Sequence, residues 1–263
     1  MEEQIEVLRD GAVRLEALED GAIWRAVLNT PKANILDMEK CDLLSDIFEE
    51  AGGAQDLKAV IVQGEGPHFS FGASVEEHLP ENIEAMLHGF HRLFYTMLDA
   101  RMVTLAAVRG QCLGGGMELA IFCNRLFASP GAVLGQPEIM LGVIAPVASV
   151  MLADRIGRSR AEDLLFSGRS IEAEEGLPFG LVDEIAEDPG SAALNYAREH
   201  LLPKSASSLR FAVEAGRAGY EDRVRKQLAG VERLFLQELI ATADAREGLN
   251  AFLEKRQADW KHE

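Results

Sequence analysis

One stretch restricts the fold more than any other: MVTLAAVRGQCLGGGMELAIFC, residues 102–123. Its first seven residues form a short apolar run of β-branched character, as expected of a strand buried on both faces of a parallel sheet. The run passes Gly110, meets three consecutive glycines, Gly114, Gly115 and Gly116, and continues helically through MELAIFC. A strand that ends in glycine and turns into a helix leaves backbone N–H groups unpaired at the helix start, and the absent side chains let a ligand approach them. That makes an anion site, although tight strand-to-helix packing is the plainer reading of an isolated glycine run. The spacing fits neither the dinucleotide fingerprint nor the phosphate loop, since no lysine followed by Ser or Thr comes after the glycines. One acidic residue, Glu118, stands just inside the helix.

The same alternation of strand, loop and helix recurs along the chain. AVRLEAL (12–18) and AIWRAVL (22–28) flank Asp20 and Gly21 as a hairpin. Asp37 is a plausible N-cap for a helix in which Met38, Cys41, Leu44, Ile47, Phe48 and Ala51 keep helical spacing until Gly52 and Gly53. LKAVIVQ (57–63) predicts a buried strand, and residues 81–99 a helix with Met86, Phe90, Phe94 and Met97 as core or pocket wall. RLFAS (125–129) and AVLG (132–135) predict two short strands around Pro130 and Gly131. Beyond about residue 190 the strand signals stop, and the segments around 191–201, 206–217, 221–241 and 243–260 are charged, amphipathic and helical. The expected class is therefore α/β, with a site-bearing part over 1–190 and a helical part over 191–263 of the kind that packs against another copy of the chain.

Composition excludes several functions. No apolar run reaches the eighteen or so residues that cross a bilayer, and the opening MEEQIEVLRD lacks a basic start followed by an apolar stretch, so neither export nor membrane insertion is expected. Three cysteines, Cys41, Cys112 and Cys123, are an odd set without close pairing, which argues against a disulfide framework or a zinc site and for a reducing cytoplasm. His78, His88 and His91 have no metal spacing and read as solvated or capping side chains, and Asp154 with Arg155 and Arg158 reads as an ion-pair surface. With 43 acidic against 26 basic residues the formal charge is −17, so a footprint for nucleic acid or anionic lipid is not expected and any anionic ligand must be gripped locally.

Two further features give the glycines company. In GQPEIMLG (135–142), Glu138 follows a strand, a glycine and a proline in an apolar setting, twenty positions after Glu118. If the chain leaves the helix, makes one strand and returns alongside, both carboxylates face one pocket; taken singly, each reads as a surface glutamate. HFSFGASVEEH (68–78) follows a strand, and its Gly72 and Ala73 offer a second small-residue turn, otherwise a plain surface loop. N–H groups from two separate loops would make an oxyanion hole for a carbonyl oxygen gaining charge, and nearby glutamates would move the protons.

HFSFGAS, RGQCLGGGMELA and GQPEIMLGVI, in this order and at these intervals, resemble the crotonase (enoyl-CoA hydratase and isomerase) superfamily, a likeness that begins near NTPKANIL and spans most of the chain. The resemblance implies a spiral of stacked ββα units with a helical C-terminal trimerisation region, as a homotrimer or homohexamer. It implies an acyl-CoA substrate, with coenzyme A part of that substrate and no separate cofactor or metal. The amides of Ala73 and Gly115 would hold the thioester oxygen, Glu118 and Glu138 would be the catalytic pair, and Lys32, Ala33, Ile35 and Phe71 would contact coenzyme A. Retention of both acids implies water addition or removal, the work of a hydro-lyase. Phe71-Gly72-Ala73-Ser74 stands where many members have Ala-Gly-Ala-Asp, and APVAS (145–149) where simple hydratases have a glycine-rich helix start, so a differently shaped pocket is expected. FGASVEEHLPE and RGQCLGGGMELA most resemble the branch that hydrates cyclohexa-1,5-diene-1-carbonyl-CoA to 6-hydroxycyclohex-1-ene-1-carbonyl-CoA in anaerobic benzoyl-CoA breakdown. A linear enoyl-CoA hydratase or isomerase is the alternative, and a non-catalytic acyl-CoA-binding or assembly subunit the alternative of another class.

Overall fold

A computed structural model describes residues 5–79 and 81–263. Strands β1 (Glu6–Arg9), β2 (Val13–Leu18) and β3 (Ile23–Leu28) form an antiparallel meander, with Val13 opposite Leu28 and Leu18 opposite Ile23. Helix α1 (Met38–Gly53) follows, and Asp37 caps it as expected: Oδ1 accepts from Lys40 N at 3.0 Å. Next come β4 (Ala59–Gly64), α2 (Ile83–Asp99), β5 (Val103–Val108), β6 (Gln111–Leu113) and α3 (Gly115–Phe122). From β3 onward the large sheet is parallel, and β4 and β5 are buried through most of their length, as their unbroken apolar character requires.

The chain continues through β7 (Arg125–Ala128), β8 (Val133–Gly135), a 3-10 turn at Pro137–Leu141, α4 (Pro146–Ile156) and α5 (Arg158–Ser167). Short β9 (Ser170–Glu172), α6 (Ala173–Gly176) and β10 (Glu184–Ile185) lead to the helical end, α7 (Pro189–Tyr196), α8 (Ala206–Gly216), α9 (Tyr220–Gln237) and α10 (Ala243–Leu253). Two sheets result. One has seven strands in the order β1-β2-β3-β4-β5-β7-β10, the other three in the order β6-β8-β9. Parallel bridges Leu36–Ala73 and Ser70–Cys112 extend the second layer, so successive turns of chain lay one rung in each layer before a helix returns. This is the expected spiral.

The main core lies between the sheets and α1 to α4, where Phe90, Phe94 and Phe122 meet edge to face with consecutive centroids 5.0 Å apart. A second core, including Leu105, Phe127 and Leu194, joins the outer face of the large sheet to α7. Burying an aromatic side chain of this kind contributes about 1.5–3 kcal/mol. Two helices are shorter than their periodicity predicts. The 221–241 segment breaks after Gln237 into a 3-10 turn at Leu239–Ala241, and the 243–260 segment ends at Leu253. Beyond it Lys255 adopts φ 55°, which a continuing helix does not allow. No described helix is long and apolar enough to cross a membrane.

Candidate active site

Glu118 sits in the first turn of α3 and is 2% exposed. Its Oε1 accepts from Ala148 N at 2.8 Å, near the start of α4. Pro146 occupies the first position of α4, where its missing N–H costs nothing, and the free amides behind it point at the carboxylate. Burial pushes the Glu118 pKa up to about 7, opposed by the N–H groups of Ala148 and Val147. Glu138 lies on the Pro137–Leu141 turn, partly accessible from the cavity yet packed by protein, and its pKa is raised well above the ordinary carboxylate value, first by burial and then by the charge of Glu118. The fold thus brings together two acids that lie twenty positions apart in sequence.

The three glycines have particular neighbours. Gly114 adopts φ 50°, and a Cβ there would stand 2.6 Å from Glu138 Oε1, so no side chain fits beside that carboxyl. A Cβ on Gly115 would stand 3.2 Å from Ala73 N and 3.1 Å from the Phe90 ring, and one on Gly116 would strike Ser70 Cβ at 2.6 Å. Three of the amides flanking the two expected donors are occupied: Gly72 N donates to Ser70 Oγ (3.0 Å), Ser74 N to Leu36 O (3.3 Å) and Gly114 N to Gly135 O (2.9 Å). Ala73 N and Gly115 N have no acceptor among the described residues.

Ala73, Gly115, Glu118 and Glu138 all line one cavity of about 920 Å³, as do the expected coenzyme A contacts Ala33, Ile35 and Phe71. Lys32 does not line it; it is exposed beside Ala33 with φ 117°. Met86 and Phe90 are pocket wall, whereas Phe94 and Met97 are core. His78 borders the cavity with Nδ1 2.7 Å from Ser74 O, a local cap, and burial lowers its pKa. His91 is fully buried and pairs with Glu232 at 2.5 Å, tying α2 to α9 instead of meeting solvent. Asp154 pairs with Arg223 at 2.5 Å on the surface.

Sequence reasoning passed over the residues that hold these parts still. Asn34, 1% exposed with φ 46°, donates to Glu65 O (3.0 Å) and His68 O (2.9 Å) and so stitches the 29–36 segment to the Ala73 loop. Ser70 donates to Asn34 O at 2.8 Å. Gln136, buried beside Glu138, faces the carboxyl with its amide oxygen, which accepts from the protonated acid; turned over, its nitrogen would donate to the two carboxyl oxygens at 3.2 and 3.1 Å. The closing walls come from Phe235 of α9, Phe252 of α10 and Trp260 beyond it. The NTPKANIL stretch and the GQPE sequence were the available signals for Asn34 and Gln136; nothing local marks the distant aromatics.

A spiral of paired rungs carries one buried and one half-buried acid and two free amides around one cavity, and the chain belongs to the enoyl-CoA hydratase/isomerase family, whose model matches residues 19–263. It is 52% identical over 243 residues to the cyclohexa-1,5-dienecarbonyl-CoA hydratase of Thauera aromatica, covering 92% of this chain and 94% of that protein. A probable enoyl-CoA hydratase of Mycobacterium tuberculosis is 34% identical over 249 residues, with 92% and 96% covered. Among solved structures, an enoyl-CoA hydratase/isomerase from Pseudoalteromonas atlantica T6c shares the fold at a TM-score of 0.84 and 23% identity, over 95% of this chain and 100% of that one.

Proposed function

We propose that the protein adds water to cyclohexa-1,5-diene-1-carbonyl-CoA, giving 6-hydroxycyclohex-1-ene-1-carbonyl-CoA, with Glu118 as base and Glu138 as acid. The reaction type rests on one observation above others: the carboxyls of buried Glu118 and half-buried Glu138 and two unpartnered amides share a single cavity. The ring substrate is supported by the name of the Thauera relative, at 52% identity.

In this reading the thioester oxygen accepts from the amides of Ala73 and Gly115. Glu118 takes a proton from water as the water oxygen bonds to ring carbon 2, and the displaced electron pair runs through carbon 1 to the thioester oxygen, where the two amides stabilise it. That dienolate is conjugated through carbon 6 to carbon 5. Glu138 delivers its proton to carbon 5, and a double bond forms between carbons 1 and 6, the 1-ene of the renumbered product. One O–H bond breaks, one C–O and one C–H bond form, and the carboxyls exchange protonation states and are reset by proton transfer through solvent. The role assignment follows from hydrogen bonding. Glu118 receives N–H groups at the positive end of α4, which favour its ionised form, while Glu138 carries the added penalty of a like charge, which favours its protonated form.

Lys32, exposed and next in sequence to the cavity-lining Ala33, is available to the phosphates of coenzyme A, which enters as part of the substrate with no separate cofactor. A homotrimer or homohexamer in the cytoplasm completes the reading, supported by exposed Phe166, Phe211 and Leu234 on α5, α8 and α9 and by three buried free cysteines; sedimentation tests the assembly. The decisive assay compares the cyclic dienoyl-CoA with crotonyl-CoA by absorbance. Turnover of the ring substrate is expected. Turnover of crotonyl-CoA alone refutes the ring assignment, and thioester binding without turnover of either points to a non-catalytic binding subunit.

A further inference from the structure

After Leu253 the chain doubles back, and residues 254–263 run as an irregular strap against α10. The strap is held by carboxylates of that helix. Asp244 accepts Lys261 N (2.6 Å) and His262 N (2.7 Å), and Glu247 accepts Asp259 N (2.8 Å) while pairing with Arg256 at 2.5 Å. Glu263 O in turn accepts Ala243 N (2.9 Å) and Asp244 N (3.2 Å), two amides at the start of α10. Exposed ion pairs are individually worth little, but amide bonds on both sides of one position fix its backbone.

That position is Trp260, a cavity-wall residue 37% exposed. Its indole rests on two glycines: a Cβ on Gly142 would stand 3.2 Å from Cζ3, and one on Gly248 would stand 2.9 Å from Cη2. Gly142, at φ 71°, closes the 3-10 turn that carries Glu138. Gly248 lies on α10. The strap therefore delivers a flat aromatic face to the cavity and seats it on the loop of the proposed acid. Phe235 and Phe252 line the cavity as well.

We propose that Trp260 determines which acyl group the site accepts: its indole, seated on Gly142 and Gly248, is a wall for a flat ring. A six-membered ring buried against the indole gains apolar contact over its whole face at little cost in internal freedom, whereas a linear chain must give up rotamers to gain the same area. The inference rests on the ring substrate proposed above.

The test uses Trp260→Ala and Trp260→Phe in the full chain. For the cyclic dienoyl-CoA, Trp260→Ala is expected to lower kcat/KM at least about tenfold, chiefly through KM, and for crotonyl-CoA less than about threefold, with Trp260→Phe within about threefold of the parent on both. An equal fall on both substrates, or none on the cyclic one, overturns the proposal. If the parent turns over only linear thioesters, the ring reading fails alone. The role of Trp260 is then read from chain length, where Trp260→Ala must shift the preferred length upward and an unchanged profile overturns it. A further measurement does not depend on the Trp260 variants folding. The chain has two tryptophans, so in Trp24→Phe the emission reports Trp260 alone. Saturation with crotonyl-CoA, followed independently by calorimetry, is expected to change that emission, and unchanged emission at saturation overturns the placement of the indole at the ligand.

Discussion

Glu118 and Glu138 carry the sharpest consequences at the level of single residues. Glu118→Gln and Glu138→Gln are each expected to lower turnover at least about a hundredfold while thioester binding survives, as steady-state kinetics and calorimetry would show; near-parental rates in either variant remove that residue from the mechanism. The pair also sets a pH dependence. Under the proposed roles, with Glu118 ionised and Glu138 protonated, kcat/KM should rise as pH approaches about 7 from below and fall again on the alkaline side, with both limbs belonging to the coupled pair. Stability runs the other way. A carboxyl whose folded pKa is raised keeps its proton in the folded state where the unfolded chain has already lost it, so stability declines as pH rises from the ordinary carboxylate value through the folded one. Glu138→Gln removes that penalty and should melt about 2–5 °C above the parent near pH 8, the gap closing toward about pH 4.5. Both acids were legible in the sequence because each follows a glycine-containing turn in an apolar setting. Gln136 and Ser70 were not, since a polar residue next to a turn has many ordinary uses and only the folded contacts distinguish it.

Elements position these residues, and most of them could be read in advance. Asp37 before the periodic run of α1 and the unbroken apolar runs of β4 and β5 are local signals that tertiary packing left unchanged. Strands β1, β6, β9 and β10 have only two to four residues, too few to show a period, and exist because neighbouring rungs pair with them. The helical pattern over 243–260 failed because Arg256 and the amides beyond it bind Glu247 and Asp244 in place of a continuing helix. The join between β6 and α3 admits a direct test. Gly114→Ala puts a methyl group into a left-handed position and 2.6 Å from Glu138 Oε1, so it should reduce kcat at least about a hundredfold and lower the melting temperature by several degrees. Ala148→Pro acts on the first turn of α4, where proline is tolerated, and deletes the N–H given to Glu118. Its acid limb should move to higher pH, and an unmoved limb means that this amide does not tune Glu118.

At the scale of the whole molecule, charge and topology matter more than any contact. A net charge of −17 surrounds the site proposed for an anionic thioester, so long-range repulsion should slow encounter at low salt. Raising KCl from about 10 to about 150 mM should lower KM for acyl-CoA, the opposite of the response of a protein with a basic binding face. The cavity draws on Ala33 and on Trp260, which share no sequence signal, and this is why its aromatic closure could not be anticipated from the three motifs. The smaller layer, with its bridges from Leu36 to Ala73 and from Ser70 to Cys112, has a corollary for refolding. Each part of the catalytic apparatus hangs from a different step of one staircase, so a chain missing any step lacks a complete site. Enzymatic rate should therefore vanish and return in urea together with global structure, which makes a simple turnover assay a faithful gauge of how much of the population is native.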